Sequence, residues 1–147
     1  MKNKTIDYVL RATWQAVARM YNEEAAKYDA SMALAFALLC IDREGTPSTL
    51  LGPNMGMEAT SLTRTLKKLE ERGLITREKN PNDGRGVIIR LTDLGLEKRE
   101  LSKQKIKLFN EKITEHISEE KIRHFFEVTD VINSLISDRA IFEEVDA

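Results

Sequence analysis

The chain is poor in the residues that staple, span or catalyse. Its single cysteine, Cys40, removes any internal disulfide and leaves no thiol cluster for zinc. The longest apolar run, Met32 to Ile41, is ten residues, about half of what a membrane span needs. Lys2 and Lys4 are followed by Asp7 and Arg11, so no signal-peptide segment is expected and the protein reads as cytoplasmic. There is no Gly-rich phosphate loop, no HExxH, no GxSxG and no Cys/His pair in a recognisable setting, which puts an enzyme last among the readings. His116 and His124 stand eight apart across a predicted helix break with no acidic or cysteine partner at ligand spacing, so neither a metal nor a cofactor is expected. Repeats, low-complexity segments and long linkers are missing as well. What remains is 147 residues, 41% hydrophobic and 32% charged, a length and composition that suit one helical domain and exclude a disordered tail.

The informative stretch runs from Met57 to Gly95. Between Met57 and Arg72, Leu62, Leu66 and Leu69 recur at spacings of four and three, while Thr60, Ser61, Thr63, Arg64, Lys67 and Lys68 fall on other faces. One stripe of this helix faces a core, and the rest offers hydroxyls and positive charge. Gly73 stops it, Leu74 to Lys79 reads as a strand, Asn80 to Gly84 is dense in turn formers, and Val87 to Leu91 is a second β-branched run. A helix followed by a β-hairpin is the plan of a winged helix.

Charge is divided unevenly along the chain. From Thr60 to Arg90, eight basic residues face four acidic ones, a balance of +4 in a chain of net charge -1. From Leu91 to Ala147 the balance is -4, nine basic against thirteen acidic. A duplex would be drawn to the first segment and repelled by the second, although mixed charge is also what an ordinary solvated surface shows.

The run Thr63-Arg64-Thr65-Leu66-Lys67-Lys68-Leu69-Glu70-Glu71-Arg72-Gly73-Leu74-Ile75, then Asp83-Gly84-Arg85, then Leu91-Thr92-Asp93-Leu94-Gly95, resembles the winged helix of the MarR family of bacterial transcription regulators. No single piece is diagnostic; the order and spacing together are. The resemblance covers essentially the whole chain. It implies a mostly α fold with a small β-hairpin wing, a winged helix-turn-helix at about 30–92 flanked by long dimerisation helices at about 5–28 and 93–142. It implies further a homodimer on an operator duplex, with one recognition helix per subunit in a major groove and one wing per subunit along a minor groove.

The flanking segments fit that plan. Ile6 to Tyr28 carries Ile6, Val9, Leu10, Val17, Met20, Tyr21 and Tyr28 at helical spacing, which predicts a first helix of about six turns. Asp29 and Ser31 are candidate caps for a second helix reaching about Arg43, apolar on nearly all sides and so central; Gly45 closes it, and Thr46-Pro47-Ser48 opens a third. Here the chain departs from the family pattern, because Leu50 to Gly56 holds two glycines and a proline; the third helix should be short or distorted, and no DNA contact is assigned to it. Thr92 can cap a long helix from Asp93 to about His116, and Ser118 another, with Glu119 and Glu120 in its first turn and an apolar stripe of Ile122, Phe125, Phe126, Ile132, Leu135 and Ile136.

Residue types suggest roles. Thr60, Ser61 and Thr63 are short groups that can meet base edges or phosphates, and a Thr methyl can meet a thymine methyl. Arg64 can take a guanine edge bidentately or grip a phosphate, and Lys67 and Lys68 suit phosphates. Arg85 resembles the family's minor-groove arginine; Asp83 is placed either to orient it or simply to form the turn beside Gly84. The resemblance also implies an effector pocket between the winged lobe and the dimerisation helices, which Trp14, Tyr21 and Phe36 could line, though aromatics at helical spacing equally make core. Cys40 lies in an apolar run, a setting that favours inert packing over redox sensing. A winged-helix protein-interaction module without DNA binding is the alternative to a regulator, and it would be preferred if the Arg64 and Arg85 surface bound no DNA.

Overall fold

The structure is a computed structural model and describes residues 4–82, 84 and 86–143. In chain order the elements are α1 (Ile6–Ala26), α2 (Met32–Cys40), β1 (Thr46–Pro47), α3 (Ser48–Met55), α4 (Ala59–Glu71), β2 (Ile75–Lys79), β3 (Val87–Leu91), α5 (Asp93–His116) and α6 (Glu119–Ser137). The chain divides into two compact units, one ending at Gln104 and the other beginning at Lys105.

In the first unit, α2 is the element the others gather on, because a helix apolar on every side must be surrounded. Leu34, Ala37 and Leu38 of α2 are buried together with Leu51 of α3, Leu66 and Leu69 of α4, and Ile75 and Ile89 of the sheet. The Ser31 hydroxyl caps α2 by accepting from the Leu34 N–H (3.3 Å), and the Asn22 side chain reaches from α1 to accept the Met32 N–H (2.9 Å). Asp29, expected as a second cap, instead turns the chain at φ 54°. The expected end near Arg43 is also corrected. The helix stops at Cys40 because Ile41 swings into extended backbone and buries its side chain completely, while the Asp42 N–H turns to the Thr46 hydroxyl (2.8 Å).

Two residues after that turn, Thr46 and Pro47 pair with Ile89 and Ile88 as a short third strand, so the hairpin is the larger part of a sheet ordered β1-β3-β2. Sequence reading placed these residues at the opening of a helix; α3 begins one residue later, at Ser48. As expected, α3 is short, eight residues with Pro53 inside, and Gly56 at φ 61° ends it in the left-handed region. Leu51, wholly buried, holds this breaker-rich segment in the lobe. The hairpin strands run in register from Ile75 opposite Leu91 to Lys79 opposite Val87.

Thr92 and Ser118 cap α5 and α6 through their hydroxyls, which accept from the N–H groups of Gly95 (3.0 Å) and Lys121 (3.3 Å). Gly95 is required for space: a Cβ there would lie 2.0 Å from the Leu74 carbonyl oxygen, so only glycine lets the first turn of α5 sit against the strand entrance. By contrast α1 and α6 bury no residue at all, and Trp14, Phe125, Phe126, Val131 and Ile136 are each more than half exposed.

Candidate nucleic-acid interface

α3, the Gly56 turn and α4 form a helix-turn-helix, with the β2–β3 hairpin following as a wing. The stripe of α4 is divided as its spacing requires: Leu66 and Leu69 are buried and Leu62 is packed against the same core. Thr60, Ser61, Thr63, Arg64, Lys67 and Lys68 are all exposed, on the arc opposite that stripe. Thr60, Thr63, Arg64 and Lys67 follow one another at helical spacing, and Glu71 continues the same column one turn further on. The face therefore runs from hydroxyls through cations to a carboxylate, and its N-terminal half is the half an anion would meet.

Two details refine the chemistry. Thr63 donates its hydroxyl proton to the Ala59 carbonyl (2.8 Å), which leaves the hydroxyl oxygen of this exposed residue able to accept. At the N-terminus of α4 the Glu58 side chain makes no cap and no acidic residue occupies the first turn, so the leading N–H groups and the positive end of the helix dipole stay open to a phosphate.

The basic residues separate into two sets. Arg77 pairs with Glu70 (3.2 Å), and Arg90 pairs with Glu78 (2.6 Å) while also donating to the Glu44 carbonyl (2.7 Å). Arg72 donates to the Asp29 carbonyl. These three arginines brace the lobe. Arg64, Lys67, Lys68 and Lys79 form no ion pair with any described residue, so the positive charge left over lies on the outward face of α4 and at the end of β2. Sequence reading counted Arg72, Arg77 and Arg90 with the rest; spacing along the chain gave no sign that turns and strands would claim them. Arg85 and Asp83, read as a wing arginine and its orienting partner, lie outside the described residues.

Of the aromatic residues read as pocket candidates, Trp14 (60%) and Phe36 (44%) are exposed and Tyr21 is half-buried, where burial raises its phenol pKa. An open surface depression runs along α5, lined by Glu97, Lys98, Glu100, Leu101 and Gln104. Cys40 packs at the edge of the core, and burial pushes its thiol pKa up, away from the thiolate that a sensor uses. Among the described residues no group of three or more His, Cys, Asp or Glu could hold a metal, and no helix is long and apolar enough to cross a membrane.

Comparison with known proteins agrees with this geometry. Residues 31–87 match the model of the MarR family. The HTH-type transcriptional regulator YdgJ of Bacillus subtilis is 33% identical over 78 residues, 53% of this chain and 48% of its own, so the chain spans about half the length of that relative. The HTH-type transcriptional regulator SarZ of Staphylococcus aureus is 27% identical over 135 residues, 90% of this chain and 85% of its own. The fold is that of S. aureus MepR, solved as a complex with DNA, at a TM-score of 0.81 over 90% of this chain and 100% of that one, with 18% identity.

Proposed function

We propose that this chain, whose residues 31–87 match the MarR family model, is a MarR-family, sequence-specific DNA-binding transcription regulator, a cytoplasmic homodimer acting as a ligand-responsive repressor. The observation that carries the reading is the outward arc of α4, where three hydroxyl residues and three cations face away from the core and no described carboxylate neutralises the cations. In this reading Thr60, Ser61, Thr63 and Arg64 meet base edges in the major groove, Lys67 and Lys68 hold phosphates, and Arg85, oriented by Asp83, enters the minor groove. The lobe at about 30–92 reads DNA, and the helices at about 5–28 and 93–142 form the dimer. A small-molecule effector would sit near Trp14, Tyr21 and Phe36. The chain has no part in catalysis.

Selection of bound duplexes from a random pool with the purified protein tests the reading, followed by affinity measurements on the preferred site and on a scrambled duplex. Arg64→Ala should cost about 1 to 3 kcal/mol per contact on the preferred site and much less on the scrambled one. Wild-type binding should fall roughly a thousandfold or more between 50 and 200 mM salt, as expected for about 6 to 10 phosphate contacts per dimer. Equal losses on both duplexes would make Arg64 a phosphate clamp, and failure to enrich any duplex would favour a protein-interaction module.

A further inference from the structure

α4 is fastened at one end and open at the other. At its C-terminus Gly73, at φ 72°, reverses the chain, and the N–H groups of Gly73 and Leu74 return to the carbonyls of Glu70 (3.0 Å) and Leu69 (2.9 Å). The two carbonyls that leave this cap both go to the start of α5. The Gly73 carbonyl accepts the Thr92 hydroxyl proton at 2.6 Å, and the Leu74 carbonyl accepts the Thr92 N–H at 3.1 Å. The same hydroxyl oxygen accepts the Gly95 N–H at 3.0 Å, so its rotamer is set from both sides. Gly95 presses the joint closed, since any side chain there would strike the Leu74 carbonyl.

We propose that Thr92 is a positioning residue for base reading: by donating to Gly73 while capping α5, its hydroxyl fixes the direction in which α4 presents Thr60, Ser61, Thr63 and Arg64. This rests on the DNA-binding reading above. The reason is leverage. α4 has thirteen residues and is therefore about 20 Å long, so a tilt of about 5° at the anchored end moves the far end by nearly 2 Å. A base-edge hydrogen bond fails over such a distance, whereas a lysine on a flexible stem follows its phosphate. Loosening the joint should thus reduce discrimination between sequences more than it reduces binding to DNA as such.

Three variants separate the hydroxyl's two tasks. Thr92→Val loses both bonds, Thr92→Ser keeps both, and Thr92→Asp keeps an acceptor for the Gly95 N–H but loses the proton donated to Gly73. Each is measured on the site preferred by the wild-type dimer and on a scrambled duplex, well below the melting temperature of each variant. Thr92→Asp should melt close to wild type, because the helix cap remains. It should nonetheless bind the preferred site about tenfold more weakly and the scrambled duplex less than about twofold more weakly, with Thr92→Ser within about threefold of wild type on both. Preferred-site binding by Thr92→Asp equal to wild type overturns the inference, as does an equal loss on the two duplexes. If the wild type itself enriches no duplex, the DNA-binding reading falls and the inference with it; an unchanged Thr92→Asp beside a binding wild type removes the inference alone.

Discussion

The winged lobe and the terminal helices use apolar residues in opposite ways. Between Leu34 and Ile89, ten apolar side chains are buried in a single chain, six of them with 2% or less of their surface left, and charged groups at the rim are drawn into ion pairs. α1 and α6 have no fully buried residue, although Ile6, Trp14, Phe125, Phe126, Val131, Leu135 and Ile136 stand on them. The lobe contains the material for its own stability; the helices hold theirs in reserve. Isolated exposed side chains are ordinary, but apolar faces of this length on two helices call for a cover, and in a homodimer a second copy supplies it by symmetry. Stability of the lobe should then follow its own packing, and stability of the helices should follow protein concentration.

The lobe side of that contrast is tested most severely at Leu69, which is fully buried beneath the α4 face. Leu69→Ala should cost about 2 to 5 kcal/mol, the range for deleting a buried leucine whose surroundings cannot fully collapse. The loss should be the same at low and high protein concentration when read by urea unfolding of the lobe. A cost under about 0.5 kcal/mol, the level of an ordinary surface change, would mean that the core is not closed within one chain.

On the helix side, Ile136 is 59% exposed, and in an isolated chain Ile136→Asp should be nearly silent. In a dimer that buries this face it should shift the sedimentation profile to monomer at micromolar concentration and abolish the dependence of melting temperature on concentration. An unchanged sedimentation profile would place the interface elsewhere on the chain.

The same contrast explains what the sequence made legible. Long periodic segments were read to within a residue or two: α5 spans Asp93 to His116, α6 follows its Ser118 cap, and the hairpin strands end at Lys79 and Leu91. Their signals are local, a period and a cap, and they hold whether or not a partner covers them. Thr46–Pro47 was missed because two residues carry no alternation and a proline argues against a strand; only the distant Ile88 and Ile89 make it one. The early end of α2 was missed for a related reason, since Ile41 leaves the helix to enter a core assembled from residues far along the chain. At the candidate interface, the outward set on α4 was legible from its spacing, whereas the removal of Arg72, Arg77 and Arg90 into braces was not. Charge counts see composition; which cation remains for a ligand depends on which carboxylate or carbonyl folding brings beside it.

Cys40 stands between the two regions in character, touching the core cluster yet half-buried, and it offers the finest test of where the lobe ends. Burial raises its thiol pKa above the ordinary value, so the unfolded chain ionises first as pH rises. The sign follows from linkage. Below roughly pH 8.5, the pKa of an unfolded thiol, both states hold the proton and the thiol contributes its full share. Above that pH the unfolded state releases a proton that the folded state keeps, and stability declines until the folded thiol ionises as well. Urea midpoints of wild type and Cys40→Ala should therefore converge or cross as pH is raised from 7 to about 10, with wild type losing more. Native protein at pH 7.5 should also react with a thiol reagent more slowly than urea-unfolded protein, since thiolate is the reacting species. Parallel pH profiles in the two proteins, together with native reactivity equal to unfolded, would show Cys40 to be a solvated thiol and would move the boundary of the closed core inward to Ala37 and Leu38.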